Sequence, residues 1–264
     1  MSALNFIGYR RSDAVERAGR LREAGSGSPM LAACAEKDHA AGGGTVRKAP
    51  GRKPTRANPP GEPRQVFLFS GHRVDAPGRA QPRFPAAMVP RAAAAIAQAL
   101  DALDARAGDL ALAQGAAGGD LLVAEACEAR GVRVQLLLPL PEAEFIAQSV
   151  LGCDGDEDWR ARYAGLRARL RDAPRVMPDA LGAPPALLAL PAHGNAVERF
   201  NLWLLCSALA HGIDKVRFIC LWDGGGGDGP GGTAHMVHEV KRRTGRVTWI
   251  DTRRLGGGTQ APMN

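Results

Sequence analysis

Two stretches of the chain, VFLFSGHR (66–73) and LALAQGAAGGD (110–120), decide the fold. Each opens with a short continuous apolar run, which is typical of a strand buried on both faces of a parallel sheet. The first run ends in small and polar residues, and the second enters a glycine-rich turn that opens a helix over 121–127. Because parallel strands end at one edge of a sheet, both ends are predicted to line one ligand-binding crevice. Its candidate residues are Ser70, Gly71, His72, Arg73, Gly115, Gly118, Gly119 and Asp120.

The rest of the chain continues this alternation of apolar runs and helical segments. This alternation predicts a single Rossmann-like α/β domain over 65–255, with an open parallel sheet of about five or six strands flanked by helices. A disordered tail is expected over 256–264. The further predicted strands are 131–139, 175–177, 216–222 and 246–251, and the predicted helices are 86–107, 141–151, 159–171, 195–212 and 234–244.

Nearly all of the net positive charge of the chain lies in its leader. The formal net charge is +7, and residues 1–64 carry 12 Lys and Arg against 6 Asp and Glu, whereas 65–264 carry 22 against 21. The domain therefore gives no support for a basic nucleic-acid groove. Residues 25–64 are rich in Gly, Ser, Ala, Pro, Lys and Arg and are predicted to be a disordered basic linker. Its charges are either solvated or make weak contact with nucleic acid or acidic lipid.

No cofactor metal or membrane span is predicted. No apolar run approaches the length of a spanning helix, so a soluble, cytoplasmic protein is the expectation. The five cysteines form no CxxC pair, and the last four are predicted to be mostly buried small hydrophobic residues. The acids over 154–158 fit a helix start better than a calcium loop. His235 and His238 are three apart on a helix, where solvent exposure is expected rather than metal binding.

A second glycine-rich loop, GPGGT (229–233), lies between a buried strand and a helix. Backbone N–H groups of Gly231 and Gly232 and the Thr233 hydroxyl are candidates to bind a phosphate or a ribose there. The alternative is a flexible connection. The loop contains no GK[ST] and no GxGxxG, so neither a Walker A site nor a dinucleotide-redox site is indicated.

Several polar residues near predicted strand and helix ends have two interpretations each. His72 and Arg73 either contact a phosphate or base or only cap a loop. Asp120 is either an N-cap or an acceptor for ribose hydroxyls. Arg199 pairs with a phosphate or with a surface acid. Trp222 stacks on a base or belongs to the core, and Asp223 after it would accept from ribose.

The SGH strand end, the GAAGGD turn and the late PGGT loop together resemble the SLOG superfamily over about residues 65–252. This superfamily comprises Rossmann-like domains related to the DNA-processing protein DprA and to LOG-type cytokinin-riboside phosphate hydrolases. LOG enzymes carry PGGxGTxxE, in which the threonine contacts phosphate and the glutamate is catalytic. The resemblance implies phosphate binding at Thr233. Glu239 falls later than the glutamate of the pattern, and it and Asp223 are the candidate catalytic residues.

Residues 6–13, FIGYRRSD, resemble the opening strand and loop of bacterial TIR domains, and 14–21 resemble the helix that follows. The later strands and the catalytic glutamate of that family have no counterpart, so residues 1–24 are interpreted as a TIR-like remnant. SLOG domains outside the enzyme families are often sensors of nucleotide-derived signals in bacterial conflict systems, sometimes encoded with TIR domains.

Three functions follow as hypotheses. The leading one is binding or sensing of a nucleotide or nucleotide-derived small molecule without turnover, in bacterial defence or signalling. The second is LOG-like hydrolysis of an N-glycoside or phosphoribosyl bond, and the third is a non-catalytic protein-interaction module. A nucleotide-type ligand is the suspected small molecule, no further cofactor is assigned, and a homo-oligomer is left open.

Overall fold

The computed structural model describes residues 61–177, 196–226 and 231–256. The TIR-like remnant, nearly all of the linker, Pro230 and the tail from 257 lie outside the described residues. The strands are β1 (Val66–Gly71), β2 (Leu110–Ala113), β3 (Arg133–Leu138), β4 (Arg175–Val176), β5 (Val216–Trp222) and β6 (Val247–Asp251). The helices are α1 (Val89–Ala102), α2 (Gly119–Glu128), α3 (Glu142–Phe145), α4 (Asp156–Arg169), α5 (Ala196–Leu209), α6 (Thr233–Thr244) and α7 (Thr252–Leu255).

The six strands form one parallel sheet in the order β4-β3-β2-β1-β5-β6, which confirms the Rossmann-like α/β prediction. The chain adds strands on one side of β1 as far as β4 and then returns to its other side with β5. The topological switch point therefore lies between β1 and β5, where ligands bind in open α/β sheets. Ser70 pairs with Cys220 and Gly71 with Leu221, so the two strands end side by side.

The sheet separates two hydrophobic cores. Phe67 and Phe69 of β1 face a core shared with α1, α2 and α4, whereas Val66 and Leu68 face a core shared with α5 and α6. This alternation follows from the period of two along a strand. Burying one apolar side chain of this size stabilises the folded protein by roughly 1.5–3 kcal/mol relative to leaving it exposed. The two faces matter for function because α2 and α6, the two helices with glycine-rich starts, lie on opposite ones.

The sequence prediction differs from the structure mainly at element boundaries. The first long helix is a 3-10 turn (Ala86–Met88) followed by α1, which ends before Asp104, a residue at φ 53°. The segment after Pro141 is a short α3 continued by a π turn, Ile146–Val150. The short α7, which was not predicted, begins where the Asp251 carboxylate accepts from the Arg253 N–H.

The last residues of the predicted linker, 61–64, contact the domain. Arg64 donates through its backbone to Gly108 O and through its guanidinium to Asp109, and Lys215 pairs with Glu62 at 2.6 Å. Residues 61–64 are therefore attached to the amino-terminal edge of the sheet. No helix within the described ranges combines the length and the apolar character that crossing a bilayer requires.

Candidate functional site

The carboxyl end of β1 meets the start of α6 at the switch point. Ser70 Oγ lies 3.5 Å from Thr233 Oγ1, although the two residues are 163 positions apart in the chain. Gly232 is the N-cap of α6 and supplies no side-chain acceptor to the first-turn amides. Those amides have no partner within a helix, and the helix dipole makes this end attractive to an anion. Two hydroxyls and a helix start therefore converge at one point.

The loop before α6 is fixed by the start of α5. Gly231 has φ +88°, and a Cβ there would lie 2.8 Å from the Glu198 nitrogen. The Asn201 side-chain amide, which is 4% exposed, donates a hydrogen bond to Gly231 O. The glycine is thus required both by its left-handed backbone and by the approach of α5. Arg199, half-buried, lies in the first turn of α5 beside Glu198.

The glycine turn before α2, where a phosphate site was predicted, is packed against protein. Gly115 to Asp120 are all buried. The Gly119 N–H donates to His72 O, and a Cβ on Gly118 would lie 2.7 Å from the Val74 nitrogen. A Cβ on Gly119 would lie 2.6 Å from the Phe69 ring. These glycines therefore admit the loop after β1 and a core phenylalanine, and leave no space for a ligand.

Asp120 is not placed to accept from a ribose. It is 6% exposed, and burial raises its pKa to about 7 despite a 3.4 Å hydrogen bond from the Gln114 N–H. Its carboxyl group therefore stays largely protonated below neutral pH and serves the packing of α2.

Arg73 also has a structural role. Its guanidinium donates to Gln148 O and to Leu151 O, each at 3.0 Å. These bonds attach the loop after β1 to the end of the π turn. Of the two interpretations of Arg73, the structure supports the loop contact.

His72 and Asp223 form a polar pair across the ends of β1 and β5. His72 Nε2 lies 3.2 Å from the Asp223 nitrogen and 3.3 Å from Asp223 Oδ1. Burial lowers the pKa of His72, so a neutral ring accepts the Asp223 N–H at neutral pH. Burial raises the pKa of Asp223, but the Gly225 N–H, His72 and Arg83 outweigh it and hold that pKa below its usual value. Asp223 is thus an ionised acceptor at the switch point.

Trp222 belongs in part to the core, which is one of its two predicted roles; stacking on a base stays a prediction. It packs against the α5–α6 core, and its ring centroid lies 5.9 Å from that of Trp249. Its indole Nε1 is buried without a hydrogen-bond partner in the described structure. The residue as a whole is half-buried and lies at the carboxyl end of β5.

Glu239, a candidate catalytic residue, is held by arginines of its own helix. Its carboxylate is hydrogen-bonded to Arg243 and pairs with Arg242 at 3.4 Å. Burial raises the pKa of Glu239, but the two arginines outweigh it and lower it overall. Such a group is ionised and engaged at neutral pH, which argues against a role as a general acid.

A cavity of about 260 Å³ opens beside Asp223. It lies between the loop before α1, the loop after β5 and the start of α7. Its polar lining includes Arg83, whose Nε is 3.9 Å from Asp223 Oδ2, and Thr252, which is 1% exposed and whose hydroxyl has no partner in the described structure. Sequence reasoning assigned no binding role to Asn201, Arg83 or Thr252, and the only available signal was that each is a polar residue beside a predicted strand end or helix start.

The described residues contain no group of three or more His, Cys, Asp or Glu side chains that could hold a metal ion. His238 is exposed as expected, but His235 is half-buried and its Nδ1 has no partner in this part of the chain. Cys127, Cys153 and Cys220 are buried and Cys206 is half-buried, which confirms the sequence interpretation.

Neither a scan against protein-family models nor a search of curated proteins returned a match.

Proposed function

We propose that this protein binds a nucleotide or a nucleotide-derived small molecule, and that the ligand phosphate lies on the start of α6 beside β1. The observation that carries the proposal is the 3.5 Å approach of Ser70 Oγ to Thr233 Oγ1 at the switch point. Short hydroxyl side chains and an uncapped helix start are the groups with which α/β folds bind phosphate.

The surrounding groups suit the remainder of such a ligand. Arg199, in the first turn of α5, adds positive charge near the loop that α5 supports. On the other side of the β1–β5 junction lie the half-buried aromatic residue Trp222 and the ionised acceptor Asp223. A nucleotide that crosses the junction would therefore meet phosphate-binding groups at one end and nucleoside-binding groups at the other.

Binding without turnover is favoured over hydrolysis. An N-glycoside hydrolase needs a group that can protonate the leaving base, or a carboxylate that stabilises the cationic sugar. Of the two candidate catalytic residues, Glu239 is engaged by Arg242 and Arg243, which leaves Asp223. The ionised Asp223 beside neutral His72 keeps hydrolysis as the second candidate function.

The test measures the melting temperature of the full chain with AMP, NAD and ribosides, and assays the same mixtures for released base. We expect AMP to raise the melting temperature of the wild-type chain but not that of Gly232→Glu, because a carboxylate at the N-cap of α6 would occupy the position proposed for the phosphate. Thr248→Val on β6 is the matched control and should keep the full rise. Base released in proportion to protein would favour hydrolysis, and an unchanged rise in Gly232→Glu would exclude this loop. No stabilisation by any of these compounds would favour the protein-interaction hypothesis.

A further inference from the structure

The cavity beside Asp223 contains polar groups whose hydrogen-bonding capacity is incompletely used. The Thr252 hydroxyl is buried without a partner among the described residues. In native proteins such a group calls for an explanation, since leaving it unpaired costs free energy. The neighbouring Asp223 receives the Gly225 N–H at Oδ1, 2.8 Å away. Its Oδ2 lies 3.9 Å from Arg83 Nε, an ion-pair distance that is too long for a hydrogen bond.

We propose that this cavity binds the ribose of the nucleotide, with the 2′- and 3′-hydroxyls directed to Asp223 and Thr252. The inference rests on the proposed function, because it assigns the sugar of the same ligand. A vicinal diol supplies two O–H donors and two acceptors, which complement a carboxylate oxygen and a hydroxyl. A volume of about 260 Å³ is sufficient for a pentose and part of a base.

The spacing of the two ends of the site matches a nucleotide. Ser70, which contacts Thr233, and His72, which contacts Asp223, are two residues apart at the end of β1. Their Cα atoms are therefore within about 7 Å of each other. A phosphate on α6 and a sugar at Asp223 can belong to one ligand that crosses the strand ends, and Gly71 between them presents no side chain.

The charges around the cavity favour a neutral polar group over a second phosphate. Arg253 is paired with Asp251 through two hydrogen bonds of 2.9 and 2.7 Å, and Arg83 faces Asp223. Met88 and Pro82 add apolar surface to the lining of the cavity. Sugar hydroxyls satisfy the polar groups without adding charge.

The experiment compares ribose with dideoxyribose on the full chain. Calorimetric titrations use AMP, GMP, CMP and UMP, the 2′,3′-dideoxy analogue of each, adenosine and inorganic phosphate. Loss of a hydrogen bond to a charged acceptor weakens binding by roughly tenfold or more. We therefore expect at least one ribonucleotide to bind about tenfold or more tightly than its dideoxy analogue.

The variant Thr252→Val removes the hydroxyl and keeps the shape. We expect it to abolish most of the preference for ribose while leaving the melting temperature unchanged or raised, because an unpaired buried hydroxyl is lost. Thr248→Val on the preceding strand is the matched control and should keep the preference. Equal affinity for the ribo and dideoxy forms, or an undiminished preference in Thr252→Val, would overturn the ribose assignment and leave the proposed function standing. Binding of adenosine with no contribution from phosphate would instead overturn the phosphate position, and absence of binding by all eight nucleotides and adenosine would overturn both.

Discussion

The two glycine-rich helix starts of this protein have similar sequences and opposite surroundings. At α2 the segment 115–120 is buried, and Gly118, at φ +108°, lies against the backbone of the loop after β1. At α6 Gly232 and Thr233 are half-exposed and lie next to Ser70. Glycine before a helix permits close approach, and either protein or ligand can make use of it. The difference lies in the loop after β1, which covers the start of α2 and does not cover the start of α6. The glycine pattern alone therefore does not distinguish a helix start that is packed against protein from one that is open to a ligand.

The largest effect should come from adding a side chain at the packed helix start. Gly118→Ala would place a Cβ 2.7 Å from the Val74 nitrogen and 2.9 Å from His72 O, at a backbone conformation reserved for glycine. We expect a loss of about 3 kcal/mol or more in the free energy of unfolding, measured by urea denaturation.

Gly232→Ala is the control for this difference. Gly232 has φ −70°, which any residue adopts, so its replacement should cost less than about 1 kcal/mol. If both substitutions destabilise the protein equally, the distinction between a packed and an open helix start is wrong.

Asp120→Asn tests the burial of this residue at the start of α2 through the pH dependence of the free energy of unfolding. Burial raises the pKa of Asp120 to about 7, so the unfolded chain releases this proton at lower pH than the folded protein does. The contribution of the Asp120 carboxyl group to the free energy of unfolding therefore falls as the pH rises from about 4 to about 7. We expect Asp120→Asn to raise the free energy of unfolding by about 2–3 kcal/mol more at about pH 8 than at about pH 5. Urea denaturation of both proteins at the two pH values checks this, and an equal difference at both would contradict it.

The sequence predicted the fold well because its signals are local. The apolar runs of β1 and β5 and the turn residues after them specify strands and their ends without long-range information. Whether the segment 115–120 is buried or open depends on Phe69 and on the loop after β1, which come from other parts of the chain. Asp120 shows the same limit, since a residue that reads equally well as an N-cap or a ribose acceptor is buried by neighbours that the pattern does not specify.

The residues missed at the site depend on packing of the same kind. Thr252 matters because its hydroxyl is buried without a partner among the described residues, and Asn201 because it reaches from α5 to Gly231 in the loop before α6. Neither property follows from spacing along the chain. By contrast, Ser70 and Thr233 each follow from the rule that strand ends and helix starts meet at one edge of a parallel sheet.

Gly231→Ala tests whether α5 positions the open helix start. A Cβ at φ +88° and 2.8 Å from the Glu198 nitrogen would move the loop away from α5. We expect a loss of about 2 kcal/mol in the free energy of unfolding, together with loss of stabilisation by AMP. Gly245→Ala, at φ +67° with no atom within 4 Å of its Cβ position, has comparable backbone strain and should keep the response to AMP. Retention of that response in Gly231→Ala would show that the loop binds no ligand.

The smallest effect is expected at Glu239, and it separates the open helix start from the helix that follows it. Glu239 lies six residues after Thr233 and is engaged by Arg242 and Arg243 on the same helix. Pairs of this kind contribute roughly 0.3–0.5 kcal/mol, so Glu239→Gln should lower the free energy of unfolding by less than about 1 kcal/mol. Because the carboxylate is directed to these arginines, nucleotide affinity should be unchanged within about twofold, since a twofold change corresponds to only about 0.4 kcal/mol. Titration of AMP into the variant measures this. A tenfold loss would place Glu239 at the ligand and move the site from the helix start toward the catalytic arrangement that the LOG resemblance implies.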